Sequence, residues 1–323
     1  MRKLYLVITL TAISVAAQAA QSAADKQDAP VFKSDVALVK VDAEVLDAEH
    51  RLLGGFRKED FRILDNGSPQ DILYFSQGEV PLDVLLLFDI SSSMAPKLRK
   101  VAASAHAALA ELKPGDRAAV MIFWRKTELI TPFTNDLSAI EAAINDRVLQ
   151  RTLGGTHILG AINDAADYIR HQPRGDHRRA IVIVTDNHGQ MSGKKNTAVK
   201  NLWEADAVLC GLQVRFAGET ALLVARRITP SPAGLAMAWI MDGENMTGVA
   251  EKTGGDLLKG DDAGAQFTEL MHRLRARYSL YYAMPKGKAG EERRIKVQLA
   301  DDAQSKNPQS RVLARSGYHL PGS

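Results

Sequence analysis

The sequence predicts an α/β protein. A Rossmann-like, doubly wound, mostly parallel sheet is inserted in a small β-rich domain built from both chain ends. Three observations carry this reading. Apolar runs without alternation, at 84–88, 118–123, 180–184 and 207–214, read as strands buried on both faces. Helix-like stretches separate them, which is the pattern of βαβ units. Alternating segments lie at both ends, and neither flank alone has enough strands for a stable sheet, so the two flanks are expected to pair.

Composition agrees and narrows the function classes. At 323 residues, with 46% hydrophobic and 24% charged, the chain can build a core, which excludes disorder over most of it. A net charge of +3 is too small and diffuse to point to nucleic acid. Met1-Arg2-Lys3, an apolar run over 4–17 and Ala17-Gln18-Ala19 follow the order of a secretory signal peptide. The run is too short, and too rich in Ala and Thr, for a good membrane span. Cleavage after Ala19 is therefore expected, with export to the periplasm or beyond and no integral membrane segment in the mature chain. Losing Arg2 and Lys3 takes the charge from +3 to +1. Cys210 is the single cysteine, so no intrachain disulfide forms, and its apolar run reads as core.

The elements follow in order. Residues 1–19 are the signal peptide and 20–30 a flexible leader. Residues 31–80 form an N-terminal β segment. There Val39, Val41, Ala43 and Val45 alternate with Lys40, Asp42 and Glu44, the period of a half-buried strand. A hairpin is expected from 61–64, through Asn66-Gly67, returning over 72–75. Residues 81–277 form the α/β domain. Its helices are expected over 97–112 (stopped by Pro114-Gly115), 137–148, 158–169, 247–252 and 267–277. Arg174, His177, Arg178 and Arg179 make the strongest local positive patch and read as solvated surface. Met237, Trp239, Ile240 and Met241 lie in an irregular stretch over 216–245. They read as a buried insertion or, if exposed, as a partner patch. Residues 278–318 form a C-terminal β segment that pairs with the N-terminal one.

Function is legible where the apolar strands end, because ligands of open α/β sheets bind at the carboxyl ends of strands. Asp89-Ile90-Ser91-Ser92-Ser93 closes the first core strand, and Asp186 closes the third. Thr156 sits in a loop between them, just before a helix. Two carboxylates and three hydroxyls make a hard oxygen site, suited to Mg²⁺, with Mn²⁺ or Ca²⁺ as substitutes, and not to Zn²⁺. The hydroxyls are neutral, so a bound ion keeps its electrophilicity and an open position for a carboxylate.

This arrangement resembles the metal-ion-dependent adhesion site of von Willebrand factor A-type domains. Asp89, Ser91 and Ser93 match the D-x-S-x-S element, Thr156 the isolated threonine and Asp186 the distal aspartate. The likeness covers about 81–277. The flanks at 54–75, Thr253-Gly254-Gly255, 278–282 and Gly317-Tyr318 are similar to exported bacterial proteins of the VWFA-related family. What the resemblance implies is a Rossmann-like fold, divalent-cation binding and a protein partner that supplies an exposed Asp or Glu. One departure stands out. Asn187 occupies a position where the family often has Gly, and Asn tolerates the left-handed backbone better than most residues.

The expectation is thus an exported, non-enzymatic, cation-dependent binding module. A hydrolytic enzyme is the competing class, since His157 and His188 lie near Ser91, Ser93 and Asp186 in the loops. No G-x-S-x-G elbow is present, however, and no P-loop lysine follows Gly154-Gly155-Thr156. His157, Asn187 and His188 are read instead as the rim of the site. A metal-free structural envelope protein is the third class.

Overall fold

A computed structural model describes residues 37–77, 80–149, 153–173, 175–187, 195–214, 244–260 and 262–321. The expected signal peptide and leader lie outside the described residues. So do Arg174, His188 and the stretch with Met237, Trp239, Ile240 and Met241.

The N-terminal strands are β1 (Leu38–Leu46), β2 (Leu52–Leu53), β3 (Phe61–Asp65), β4 (Ser68–Gln70) and β5 (Tyr74–Ser76). The central region runs β6 (Leu82–Asp89), α1 (Leu98–Leu109), β7 (Arg117–Phe123), β8 (Thr127–Thr134), α2 (Leu137–Ala143), α3 (Ile158–Arg170), β9 (Arg178–Thr185), α4 (Lys195–Glu204), β10 (Ala207–Val214), α5 (Glu244–Lys252), β11 (Leu257–Gly260) and α6 (Ala263–Arg275). The chain closes with β12 (Tyr278–Ala283), β13 (Glu292–Leu299), α7 (Asp301–Lys306), β14 (Arg311–Ala314) and β15 (Gly317–His319).

The central sheet has the order β11-β10-β9-β6-β7-β8, parallel except for β8. All eight residues of β6 are buried, which is why its sequence does not alternate. Val84, Leu86 and Phe88 face one core with α1, α2 and α6. Leu85 and Leu87 face the other, with α3, α4 and α5. Helices thus cover both faces, as doubly wound sheets require. Cys210 is buried in the first of these cores.

The flanking strands interleave. One antiparallel sheet runs β14-β1-β12-β5, with β2 beside β1, and another runs β15-β13-β3-β4. Both sheets feed one core that includes Val41, Phe61, Tyr278, Leu280 and Tyr282.

Several sequence expectations are corrected. The hairpin turns at Asn66 (φ 47°) and Gly67 (φ 82°), but the returning strand is β4, not 72–75. A two-residue turn fixes the return register at Ser68. By Leu73, whose N–H bonds Tyr281 O at 2.7 Å, the chain has crossed to the other sheet as β5. The helix expected over 137–148 changes to π-helical hydrogen bonding at Ile144. Arg178 and Arg179 are not solvated surface. They are 2% and 5% exposed, and Arg178 donates to the carbonyls of Leu274, Arg275 and Arg277 and to Ser279 Oγ. Its ion pair with Asp42 of β1 ties the start of β9 to the antiparallel layer.

The turn Thr253-Gly254-Gly255 is a second tie. Thr253 Oγ1 accepts the Leu209 N–H at 3.0 Å, and Gly254 adopts φ 81° against the backbone of Ala314 and Arg315. At Gly255 a Cβ would lie 1.8 Å from Leu209 O, so backbone would have to move. Gly255→Ala is expected to destabilise the protein by about 3 kcal/mol, the upper range for overpacking. Thermal melting checks this, and an unchanged Tm would contradict it.

Acid should unfold the protein through its ion pairs. Burial alone would raise the carboxyls of Asp42, Asp116 and Asp256. It is outweighed by Arg178 beside Asp42, by Arg275 beside Asp116, and by the Leu257 N–H and Arg273 beside Asp256. All three sit below the ordinary value of 3.8. Their contribution is therefore complete above that value and lost as the pH falls from it toward the folded values. Tm should drop steeply below about pH 4, and Asp42→Asn should flatten the drop. A wild-type Tm constant from pH 5 to 3 would contradict this.

Candidate metal-ion site

β6 and β9 are adjacent and parallel, yet the chain leaves β6 for β7 on one side and reaches β9 on the other. Their carboxyl ends therefore flank the topological switch point, where open sheets leave a crevice. Asp89 ends β6. Thr185 ends β9, and Asp186 follows it.

Backbone hydrogen bonds hold the loops. The Ile90 N–H bonds Phe123 O at 2.9 Å, and the Leu153 N–H bonds Ile90 O at 3.0 Å. Ser91 and Leu153 form an isolated parallel bridge. The His157 N–H bonds Trp124 O at 2.9 Å. The loop carrying Thr156, which is buried, is thus stitched beside the Asp89–Ser93 loop at the start of α3. Gly155 adopts φ 81°, with the Arg125 side chain lying against it.

Asp89 is fully buried, and both its oxygens are used. Oδ1 accepts the Ser91 N–H at 2.8 Å, and Oδ2 accepts the Thr185 hydroxyl at 2.6 Å. Thr185 Oγ1 in turn accepts the Asn187 N–H at 2.9 Å. Burial pushes the Asp89 carboxyl up to about 6, against the hydrogen bonds from Ser91 and Thr185, and the Asp186 carboxylate adds to the rise. The hydroxyls of Ser91 and Ser93 lie 3.2 Å apart. Asp186 is buried, and its Oδ2 accepts from Lys97 Nζ at 3.1 Å.

Asp89, Ser91, Ser93 and Asp186 therefore come together, with the Thr156 loop beside them. Asn187 takes the left-handed conformation (φ 61°) that its side chain tolerates. It is 3% exposed, buried instead of at the rim, and its Nδ2 has no hydrogen-bond partner among the described residues. His157 is exposed at the N-cap of α3. Among the described residues, the hydroxyl of Ser91 pairs with that of Ser93.

Two side chains of the site escaped the sequence reading. Thr185 orients Asp89 from the next strand, and Lys97 places an ammonium on Asp186. Thr185 stands directly before an aspartate at the end of an apolar run, which was the available signal.

The donor set fits a hard divalent cation. Two buried carboxylates lie near each other, with Asp186 raising the Asp89 carboxyl, and hydroxyl oxygens stand beside them. Among the described residues no three His, Cys, Asp or Glu gather as a metal cluster, so the hydroxyls are needed to complete this site. Thr185→Val would remove the bond that aims Asp89. Outer partners of this kind typically change metal affinity 10- to 100-fold, so Mn²⁺ affinity should fall by about tenfold or more. Calorimetric titration checks this, and wild-type affinity in a folded variant would contradict it.

Residues 84–190 match the von Willebrand factor type A domain family. The match spans about a third of the chain. None of the curated proteins matches the chain. Among solved structures, it is similar to an aerotolerance-related membrane protein from Bacteroides fragilis at 18% identity, covering 60% of this chain and 98% of that one, with a TM-score of 0.45. It is also similar to BatB from Bacteroides thetaiotaomicron at 17% identity, covering 60% and 97%, with a TM-score of 0.45. A third is a von Willebrand factor type A protein from Catenulispora acidiphila at 13% identity, covering 90% and 76%, with a TM-score of 0.42. Among the described residues no helix is long and apolar enough to cross a membrane.

Proposed function

We propose that the chain is an exported, divalent-cation-dependent protein-binding module. Its cation, Mg²⁺ or alternatively Mn²⁺ or Ca²⁺, is held by Asp89, Ser91, Ser93, Thr156 and Asp186, directly or through waters. The ion supplies an electrophilic position for an Asp or Glu of a protein partner. The observation that supports this most is the convergence of two buried carboxylates and a pair of hydroxyls at the switch point of the sheet. The chain's residues share the work. Thr185 and the Ser91 N–H aim Asp89, and the Phe123 and Trp124 carbonyls fix the two loops.

The test is affinity capture from native envelope extract with wild type and Asp89→Ala, each with Mg²⁺ or with chelator. Partners held by wild type only when Mg²⁺ is present support the proposal. Equal recovery under every condition would defeat it. Export rests on the N-terminal sequence pattern, and N-terminal sequencing of the protein from its native host should begin at Ala20. Turnover of simple esters that disappears in Ser91→Ala would favour the hydrolytic alternative.

A further inference from the structure

We propose that Lys97 is a built-in competitor of the divalent cation. Its ammonium pairs with Asp186 and must leave before Asp186 can serve an ion. The inference rests on the reading of the site as a cation site and adds a control to it.

The geometry carries the argument. Lys97 follows the Ser92–Met94 turn of the D-x-S-x-S loop, and its N–H bonds Met94 O at 2.8 Å. Its side chain is 3% exposed and that of Asp186 0%, with Nζ and Oδ2 3.1 Å apart. A lysine ammonium is strongly hydrated and is seldom buried unless an anion compensates it. Here the compensating anion is one of the two carboxylates that the site would offer to a metal.

An ion that uses Asp186 and an ammonium that stays on it would stand a few ångströms apart, beside side chains that are 3% and 0% exposed. Like charges repel strongly there. The two cations therefore exclude each other. Lys97 can yield, because its charge rides on a flexible four-carbon stem. Ala95 and Pro96, just before it, are exposed, so water lies close by. While it sits on Asp186, the ammonium offsets the carboxylate pair. In the loaded state the released ammonium stands at the mouth of the site, where an acidic partner arrives. Metal affinity is lowered by the strength of the internal pair, and the site loads only where the cation is plentiful.

A supporting role makes the opposite prediction. If Lys97 held Asp186 in place for the metal, removing its charge would weaken metal binding.

The experiment compares Mn²⁺ binding by calorimetry in wild type, Lys97→Met and Lys97→Arg. Lys97→Met should bind about tenfold or more tightly than wild type, within the usual range of coupling between linked ligands. Lys97→Arg, which keeps the charge, should bind no tighter than wild type. A second readout needs no variant. Acetylation of Lys97 in the wild-type protein, followed by mass spectrometry, should be slow in chelator and faster in excess Mg²⁺.

Equal or weaker Mn²⁺ binding by Lys97→Met, with Lys97 equally protected in Mg²⁺, would overturn the inference while leaving the cation-dependent module standing. Absence of Mn²⁺ binding in both proteins would overturn both. Binding by Lys97→Met alone would support the competitor and remove cation dependence from the native chain.

Discussion

Glu44→Gln is expected to lower the free energy of unfolding by about 3–5 kcal/mol, the usual cost of removing one partner from a buried ion pair. Glu44 lies in β1 at 1% exposure. Its Oε1 accepts from Arg273 at 2.9 Å and from Arg277 at 3.0 Å, and its Oε2 accepts from Arg273 Nε at 3.2 Å. Glu44 thus bonds two guanidinium groups that are each 2% exposed. Asp256 gives Arg273 a further bond at 3.3 Å, and the Gly254 carbonyl gives Arg277 one at 2.7 Å. Asp256 keeps Arg273 partly paired, but Arg277 is left with a neutral carbonyl. Among the described residues, Arg273 Nη1 and Arg277 Nε already lack hydrogen-bond partners. Gln keeps the shape of Glu and isolates the charge. Glu49→Gln, at an exposed pair with Arg51, should change stability by no more than about 1 kcal/mol. Urea denaturation measures both. Similar small losses in the two variants would show that the cluster contributes little.

Asp89→Ala is expected to reduce Mn²⁺ affinity by about 100-fold or more, since even outer partners of metal ligands are worth 10- to 100-fold. Asp89 is the centre of the loop. It receives the Ser91 N–H on one oxygen and the Thr185 hydroxyl on the other, and the Asp186 carboxylate is near enough to affect it. Removing it takes away negative charge and also releases the Ser91 N–H, which helps set the Ser91–Ser93 spacing. The fold should survive, because β6 keeps its seven other buried residues and its pairing with both neighbours. Calorimetry with Mn²⁺ reads the first effect, and circular dichroism the second. Undiminished affinity in a folded Asp89→Ala protein would remove this carboxylate from the site.

Much of this architecture was visible in the sequence. β6, β7, β9 and β10 announced themselves because strands covered on both faces must be apolar throughout. The residues that close β6 and follow β9 marked the switch point for the same reason. The pattern failed where burial is partial or pairing is distant. β8 is a half-exposed antiparallel edge whose residues do not alternate cleanly. β11 has four residues, too few for any period to show. Arg178 and Arg179 looked like surface because most of their partners are main-chain carbonyls, which carry no residue signature. Thr185 and Lys97 acquire their roles from contacts 96 and 89 residues away in the chain. Only the folded sheet brings those ends together.

The crossing between the two layers has a mechanical consequence. The chain enters the α/β region from β5 and leaves it into β12, and these strands are direct neighbours, with Ser76 opposite Ser279 and Phe75 opposite Leu280. Tension carried through the antiparallel layer is shared across those hydrogen bonds instead of running through the parallel sheet. Arg178 anchors the near end of β9 to that layer, while Asp186 follows its far end, about 25 Å away at the rise of a strand. The loops at the carboxyl end of the parallel sheet thus lie off the path of a pull applied between strands of the antiparallel layer.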